Sequence, residues 1–259
     1  MLGAGRMGGA LIKGWLAAGA FSASDLILRD PFPTDFALAT AQAGARLNPD
    51  DAVLREAQTV VLAVKPQLWR QTAAEVSSLL SPNAILVSVA AGVSAADISQ
   101  ALGGRRVARV MPTTAAEIGM GVASLYAADP EARARAHRLF EPVGTVVDLG
   151  DEELLHAATG VSGSAPAYFY AFVEALEAGG VASGLSADAA KSLARATMAG
   201  AAALMTQTGT EPSELRRQVT SPNGTTAAAL EILMSPTGLG QLLRQAVAAA
   251  TARSKELGA

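Results

Sequence analysis

Apolar residues fall into two textures along this chain. In the first part they form short uninterrupted runs: "DLILR" (25–29), "TVVLAV" (59–64), "AILVSVA" (84–90), "RRVARVM" (105–111), "GVASLYA" (121–127) and "GTVVDLG" (144–150). Runs without polar alternation are expected of strands covered on both faces. Helix starts lie between them, at Asp50-Asp51 before "AVLREA", from Gln67 onward, and at Ser94 before "AADISQAL". The alternation predicts an α/β region over residues 1–150 with a parallel, doubly wound sheet. From Glu152 the pattern turns helical, broken at "GLS" (184–186), "TGTEPSE" (208–214), "TSPNGTT" (220–226) and "SPTG" (235–238). A second, all-α region is therefore expected over residues 151–259. Residues 187–205 are rich in Ala and Gly, with Leu193, Met198 and Leu204 as larger members, which predicts a helix covered on most of its circumference. One small domain cannot bury so many apolar faces, so these helices are expected to pack against a second copy of the chain.

Composition sharpens the picture without changing it. Half of the 259 residues are apolar, enough for a sizeable core, and aromatics are few, which suits closely packed helices. The formal charge is −3 and the basic residues are scattered, so neither nucleic acid nor an anionic membrane is an expected partner. Cysteine is absent and the two histidines, His137 and His156, lack a ligand-like neighbourhood, so no metal site is expected. No apolar run reaches the ~20 residues of a membrane span and no signal peptide is recognisable, which gives a cytoplasmic expectation.

The chain opens "MLGAGRMGGALIKGW", where Gly3, Gly5 and Gly8 have the spacing of a dinucleotide-binding turn. The first glycine permits the tight turn, the second lets backbone approach a pyrophosphate, and the third lets the helix pack on the sheet. The pyrophosphate then meets the positive end of the helix that carries Arg6 and Met7. Cofactor choice is expected at the end of the next strand, where Arg29 suits a 2′-phosphate and Asp30 a ribose hydroxyl pair. Both are present, so NADPH leads and NADH stays open. The strand-end loops holding Val64, Lys65, Pro66 and Gln67, and Ala91 and Gly92, are expected to border the nicotinamide ribose. In the helical half, "QVTSPNGTTAAAL" (218–230) places Pro222 as a first-turn residue, with Asn223 and Gly224 leaving N–H groups open to an anion and Thr225 and Thr226 at the rim.

Taken in order, Gly3-Ala4-Gly5-Arg6-Met7-Gly8, Ala63-Val64-Lys65-Pro66-Gln67, Arg109-Val110-Met111-Pro112, Ser162-Gly163-Ser164-Ala165-Pro166-Ala167-Tyr168 and Val219-Thr220-Ser221-Pro222-Asn223-Gly224-Thr225-Thr226 closely resemble the Δ1-pyrroline-5-carboxylate reductases. The resemblance spans essentially the whole chain. It implies a Rossmann domain followed by a helical dimerisation domain, with dimers often assembling into decamers. It also implies reduction of the cyclic imine to L-proline with NADPH or NADH. Under it, Ser221, Asn223, Gly224 and Thr225 hold the substrate carboxylate, Ser162 and Gly163 contribute to the substrate pocket, and Thr226 contacts the ring nitrogen as the catalytic residue. Gly3, Gly5, Arg6, Met7, Gly8, Arg29, Val64, Lys65, Pro66, Gln67, Ala91 and Gly92 hold the cofactor. A protonated imine already accepts hydride, so no acid–base dyad is needed. Hydroxyacid dehydrogenases of this plan place a lysine where Tyr168-Phe169-Tyr170 stand here. A related imine reductase, or a nucleotide-binding dimer without turnover, is the alternative.

The chain departs from the family pattern at Thr113 and Ala115, where the nicotinamide pocket is expected, at Ala165 in place of glycine, and mildly at Asn223. The family also places a strand of about five residues before Gly3, where this chain has Met1 and Leu2. Most of the first strand is thus missing, and a misplaced or truncated start is the expectation. Residues 1–5 of the chain as written are expected to be disordered or displaced, with weakened dinucleotide binding.

Overall fold

A computed structural model describes residues 1–257. By contacts the chain forms two compact units, Met1–Gly163 together with the chain from Ala249, and Ser164–Ala248. In the first unit the strands are β1 (Ile27–Leu28), β2 (Arg46–Leu47), β3 (Thr59–Leu62), β4 (Ile85–Ser88), β5 (Val107–Pro112), β6 (Gly121–Tyr126) and β7 (Gly144–Asp148). β1 pairs with β2, and the order β3-β4-β5-β6-β7 forms a second ladder. All pairs are parallel except β5 with β6, which is antiparallel. The expected all-parallel sheet is corrected there: after Pro112 the short Thr114–Ile118 3-10 turn returns the chain to Gly121, so β6 doubles back on β5 without a crossover helix.

Residues 1–5 are neither disordered nor displaced. Leu2 bridges Arg29 on one side and Leu62 on the other, both parallel, and so joins the two ladders at the centre of the sheet. Its N–H donates to Val61 O at 2.8 Å and its carbonyl accepts from Ala63 N at 2.8 Å, while Gly3 N donates to Arg29 O at 2.9 Å. Leu2 is 2% exposed. Two residues hold position because both backbone edges and the side chain are satisfied there, which outweighs the ordering entropy of so short a segment.

The helices of this unit are α1 (Arg6–Ala17), α2 (Asp35–Gln42), α3 (Trp69–Val76), α4 (Ala95–Ala101), α5 (Pro130–Phe140) and α6 (Leu154–Ala158). Ser94 caps α4 as expected, accepting from Asp97 N at 3.0 Å. The stretch after Asp50 is a 3-10 helix, Asp51–Glu56, rather than a full α-helix. Two apolar cores cover the two sheet faces, one around Trp15, Val87, Val110 and Phe140, the other around Leu2, Trp69, Leu86 and Ile98. The Trp15 indole N–H donates to Leu139 O at 2.6 Å, which fixes α1 against the end of α5. Arg105 sits 8% exposed and donates to the carbonyls of Ser77, Leu80, Ser81 and Leu102, tying the end of α3 to that of α4. Desolvation lowers its pKa from the usual guanidinium value.

The second unit is helical: α7 (Ala165–Ala182), α8 (Ala187–Thr208), α9 (Pro212–Gln218), α10 (Thr225–Leu233) and most of α11 (Leu239–Glu256). Within one chain α8 buries only Ala190 and Ala194. The expected cover over its circumference is absent from the single chain, where Leu193 is 56% and Leu204 51% exposed. Apolar exposure on this scale is what a subunit interface removes from water. No helix among the described residues is long and apolar enough to cross a membrane.

Candidate cofactor and substrate sites

The carboxyl ends of the central strands converge on the glycine turn. Gly3 adopts φ +89°, and a Cβ there would stand 2.9 Å from Ala63 O, so only glycine lets Met1-Leu2 turn beneath the β3 end. A Cβ on Gly8 would overlap the carbonyl oxygen of Gly3, because α1 lies directly on the turn. Gly5, by contrast, has nothing within 4 Å of the position a Cβ would take. The space a pyrophosphate needs is therefore open at the one glycine whose backbone faces it, beside the unpaired N–H groups of the first turn of α1. Arg6 and Met7 begin that turn. Val64, Lys65, Pro66 and Gln67 follow β3, with Pro66 and Gln67 in a 3-10 turn, and Ala91 and Gly92 follow β4, with Gly92 at φ +80°. The residues predicted to hold the cofactor thus share one edge of one sheet.

The Arg29-Asp30 pair divides its roles in a way the sequence leaves hidden. Asp30 is 9% exposed and both of its carboxylate oxygens accept backbone N–H groups: Oδ2 from Ala4 at 2.7 Å and Oδ1 from Phe32 at 2.9 Å. Its own backbone is clasped by Asn48, whose Oδ1 accepts from Asp30 N at 2.9 Å and whose Nδ2 donates to Asp30 O at 2.7 Å. Asn48 holds φ +44° to do so. Asp30 therefore fixes the glycine turn. Arg29 is half-exposed, donating to Pro49 O at 3.2 Å and pairing with Asp51 at 3.2 Å. Asp30→Ala removes two charge-assisted acceptors from buried amides and is expected to cost about 2 kcal/mol of stability while weakening cofactor binding; unfolding in urea with and without NADPH measures both.

On the same unit, α6 runs into a π-helical turn, Thr159–Gly163, that carries Ser162 and Gly163. The Ser162 hydroxyl donates to Ala158 O at 2.9 Å and lies 3.5 Å from Ser124 Oγ. Met111 of β5 packs against Gly163 at a distance that leaves room for little more than a Cβ. Thr113 braces the sheet: its hydroxyl accepts from Val122 N at 3.0 Å. Two buried polar contacts that the sequence does not signal brace this region. Arg109 pairs with Glu152 at 2.8 Å, whose carboxylate also accepts from Ala95 N at 2.7 Å. His156 meets Ser254 Oγ at 2.9 Å.

Residues 221–226 stand on the second unit, in the connection from α9 to α10. Pro222 is not in the first turn of a helix. Gly224 N donates to Ser221 O at 3.1 Å across a four-residue turn with Pro222 and Asn223 at its centre. Asn223 takes φ +58°, the value required at the third position of a type II turn. Helix α10 begins at Thr225 with Gly224 as a cap that offers no side chain. The first intrahelical donor is Ala228, bonded to Gly224 O at 3.2 Å, so the N–H groups of Thr225, Thr226 and Ala227 point out of the helix start. With the hydroxyls of Ser221, Thr225 and Thr226 around them, they make a positive, donor-rich end suited to a carboxylate.

Comparison with known proteins bears on both units. Residues 152–257 match the family model for the pyrroline-5-carboxylate reductase dimerisation domain, and residues 1–92 match that for NADP oxidoreductases, coenzyme F420-dependent. The pyrroline-5-carboxylate reductase of Pisum sativum is 39% identical over 99% of this chain and 94% of its own length. That of Methanosarcina acetivorans is 37% identical over 99% of this chain and 96% of its own. Among solved structures, the pyrroline-5-carboxylate reductase of Coxiella burnetii superposes with a TM-score of 0.90 at 30% identity, covering 100% of this chain and 97% of that one. The Plasmodium falciparum pyrroline carboxylate reductase with NADP bound shares the fold at a TM-score of 0.86 and 24% identity, covering 100% of this chain and 97% of that one.

Proposed function

The chain belongs to the pyrroline-5-carboxylate reductase family, and on that premise we propose that it reduces the cyclic imine of Δ1-pyrroline-5-carboxylate to L-proline with NADPH or NADH. The observation that carries this reading is the joint presence of an open glycine turn at the sheet edge and a donor-rich helix start at Thr225. When bound, the nicotinamide cofactor supplies the hydride.

The chain's own residues bind and orient. Gly3, Gly5, Arg6, Met7 and Gly8 receive the pyrophosphate at the start of α1. Val64, Lys65, Pro66, Gln67, Ala91 and Gly92 border the nicotinamide ribose. Arg29, whose guanidinium keeps an open face, meets the 2′-phosphate and favours NADPH. Ser221, Asn223, Gly224 and Thr225 hold the substrate carboxylate through hydroxyls and the free amides of α10. Thr226 donates to or accepts from the ring nitrogen, and Ser162 and Gly163 are further substrate contacts. Because a protonated imine carbon is already electrophilic, alignment replaces acid–base chemistry, in keeping with a site region that holds no lysine at Tyr168, Phe169 or Tyr170.

The enzyme self-associates through its helical unit, where Leu193, Leu204, Ile232 and Leu242 are exposed in the single chain. We extend this to dimers that gather into decamers, to a cytoplasmic location, and to the absence of nucleic-acid or membrane partners. Steady-state assays with pyrroline-5-carboxylate against NADPH and NADH in parallel test the reaction; absence of hydride transfer with both refutes it. Thr226→Ala is expected to lower kcat/KM for the imine by roughly tenfold with NADPH affinity unchanged, since it removes a contact to the reacting ring alone. Equal loss in both would move Thr226 out of the substrate site.

A further inference from the structure

Arg29 does not stand alone at the end of β1. Its Nη1 donates to Pro49 O at 3.2 Å and its Nη2 pairs with Asp51 Oδ1 at 3.2 Å, so the arginine placed to meet a 2′-phosphate already holds a carboxylate. The frame around the pair fixes that arrangement. Leu28 pairs with Leu47 across the β1–β2 ladder, Asn48 N donates to Leu28 O at 2.8 Å, and the Asn48 side chain clasps both backbone groups of Asp30. Residues 47 and 48 are therefore held in register with 28–30. Just beyond them Asp51 opens the 3-10 helix that Leu54, 3% exposed, anchors in the core around Trp69 and Ile98. Backbone held on both sides thus delivers Asp51 to Arg29.

The same residues lie where a doubly wound sheet reads the adenosine ribose. Gly3 N donates to Arg29 O at 2.9 Å, and Ala4 N donates to Asp30 Oδ2 at 2.7 Å, so the end of β1 is the strand end directly beside the glycine turn. A 2′-phosphate arriving there carries about two negative charges at pH 7. It meets a guanidinium whose charge Asp51 already offsets. Asp50, exposed and with a side chain that caps nothing, adds a second carboxylate one residue away. A 2′-hydroxyl brings no charge and leaves the pair undisturbed. The two forms of the cofactor therefore make different demands on Arg29 and Asp51: one must share the arginine with a carboxylate, and the other need not.

On the reading that Arg29 meets the 2′-phosphate, we propose that Asp51 is a selectivity residue: it competes with that phosphate for Arg29 and so narrows the preference of this enzyme for NADPH over NADH. The pair is open to solvent, with 39% of the Arg29 side chain and 57% of the Asp51 side chain exposed, so its strength is that of a surface ion pair, up to about fivefold in an equilibrium. That scale sets the form of the effect. Asp51 is held too weakly to exclude NADPH, and strongly enough to shift the ratio of the two affinities. An asparagine at position 51 keeps the size of the side chain and removes its charge. Arg29 then stays on Pro49 O while Nη2 is released to the phosphate.

The experiment measures dissociation constants for NADPH and for NADH by cofactor fluorescence on the full chain, on Asp51→Asn, on Arg29→Met and on the double variant, with urea unfolding of each. Asp51→Asn is expected to tighten NADPH about fivefold, to leave NADH within about twofold of the parent, and to unfold as the parent does, since an exposed ion pair adds little to folding. In the Arg29→Met background the same substitution is expected to move the NADPH constant by less than about twofold, because the group competed for is gone. Three outcomes overturn the proposal. An unchanged NADPH constant in Asp51→Asn shows no competition; equal tightening of both cofactors places the effect on the fold of the site; a gain that persists without Arg29 places it in direct repulsion of the phosphate. Arg29→Met by itself checks the placement of the 2′-phosphate, and is expected to weaken NADPH about tenfold or more with NADH little changed. If it weakens neither, the phosphate lies away from Arg29, and the role of Asp51 falls with that placement.

Discussion

Gly8→Ala is expected to raise the Kd for NADPH at least a hundredfold and to lower the stability of the first unit, both read from one sample by cofactor fluorescence and urea unfolding. The new methyl group would overlap the carbonyl oxygen of Gly3, and behind it lies the Ala63 side chain 3.6 Å from the same point. Neither obstacle is a flexible side-chain tip. Gly3 is pinned by its donation to Arg29 O at 2.9 Å, and its neighbour Ala4 donates to the Asp30 carboxylate at 2.7 Å. The methyl therefore displaces α1 from the sheet, and with it the helix N-terminus that meets the pyrophosphate. A hundredfold loss is about 2.7 kcal/mol, within reach of a backbone displacement under 1 Å at a site that works by alignment. Gly5→Ala separates the two effects. Its methyl enters open space in the folded protein, so stability should hold while NADPH binding falls. If Gly8→Ala binds NADPH as the parent does, the close packing of α1 on the turn is not what orients the cofactor.

How much of this was legible in the sequence differs by element and for physical reasons. The runs at 59–64 and 84–90 announced β3 and β4 because a strand covered on both faces has no polar positions to confuse its pattern. The same lack of alternation hides direction, so nothing in "GVASLYA" marked β6 as antiparallel to β5. Strand β2 is two residues, one of them Arg46, and is held by a ladder rather than by its own side chains; no local signal exists for it. The glycine turn was readable from spacing, whereas the duty of Asp30 was not, because its partner Ala4 is 26 positions away and an acidic strand end is equally what a ribose-binding site shows. Pro222 was read into a helix because Ser-Pro is a common helix opening; Asn223 at positive φ closes a turn there first, and α10 starts three residues later. Met1 and Leu2 differ most from what the sequence predicts. Reasoning from segment length predicted disorder, while the waiting edges of Val61, Ala63 and Arg29 held the two residues in register.

That placement has a consequence for stability against pH, expected to be the other large effect. The α-amino group of Met1 donates to Ile27 O at the sheet, and desolvation lowers its pKa from 8.0 to about 5. The unfolded chain binds a proton there below pH 8, and the folded chain does so only below about 5. Between those values the unfolded state holds more protons, so stability must rise with pH across the window. The full span of three pH units corresponds to about 4 kcal/mol, absent above pH 8 as a penalty and complete below pH 5. Of the charged groups near the amine, Glu56 is paired with Arg46 and Asp25 accepts from Ser22 N. One group works in the opposite direction elsewhere. His137 contacts Glu141 and Asp148 at 2.8 Å each; the Glu141 hydrogen bond raises its pKa most, with Asp148 adding to it. Its stabilisation is present below the ordinary histidine value and fades as pH climbs through the raised one. Because Glu141 and Asp148 are well exposed, solvent screening keeps that term to a fraction of the amine's. Urea unfolding of the His137→Gln chain at pH 5.5, 6.5, 7.5 and 8.5 isolates the amine, and α-acetylation of Met1 should flatten the profile. Equal stability at pH 5.5 and 8.5 in the unacetylated chain would show that Met1 keeps its proton in the fold.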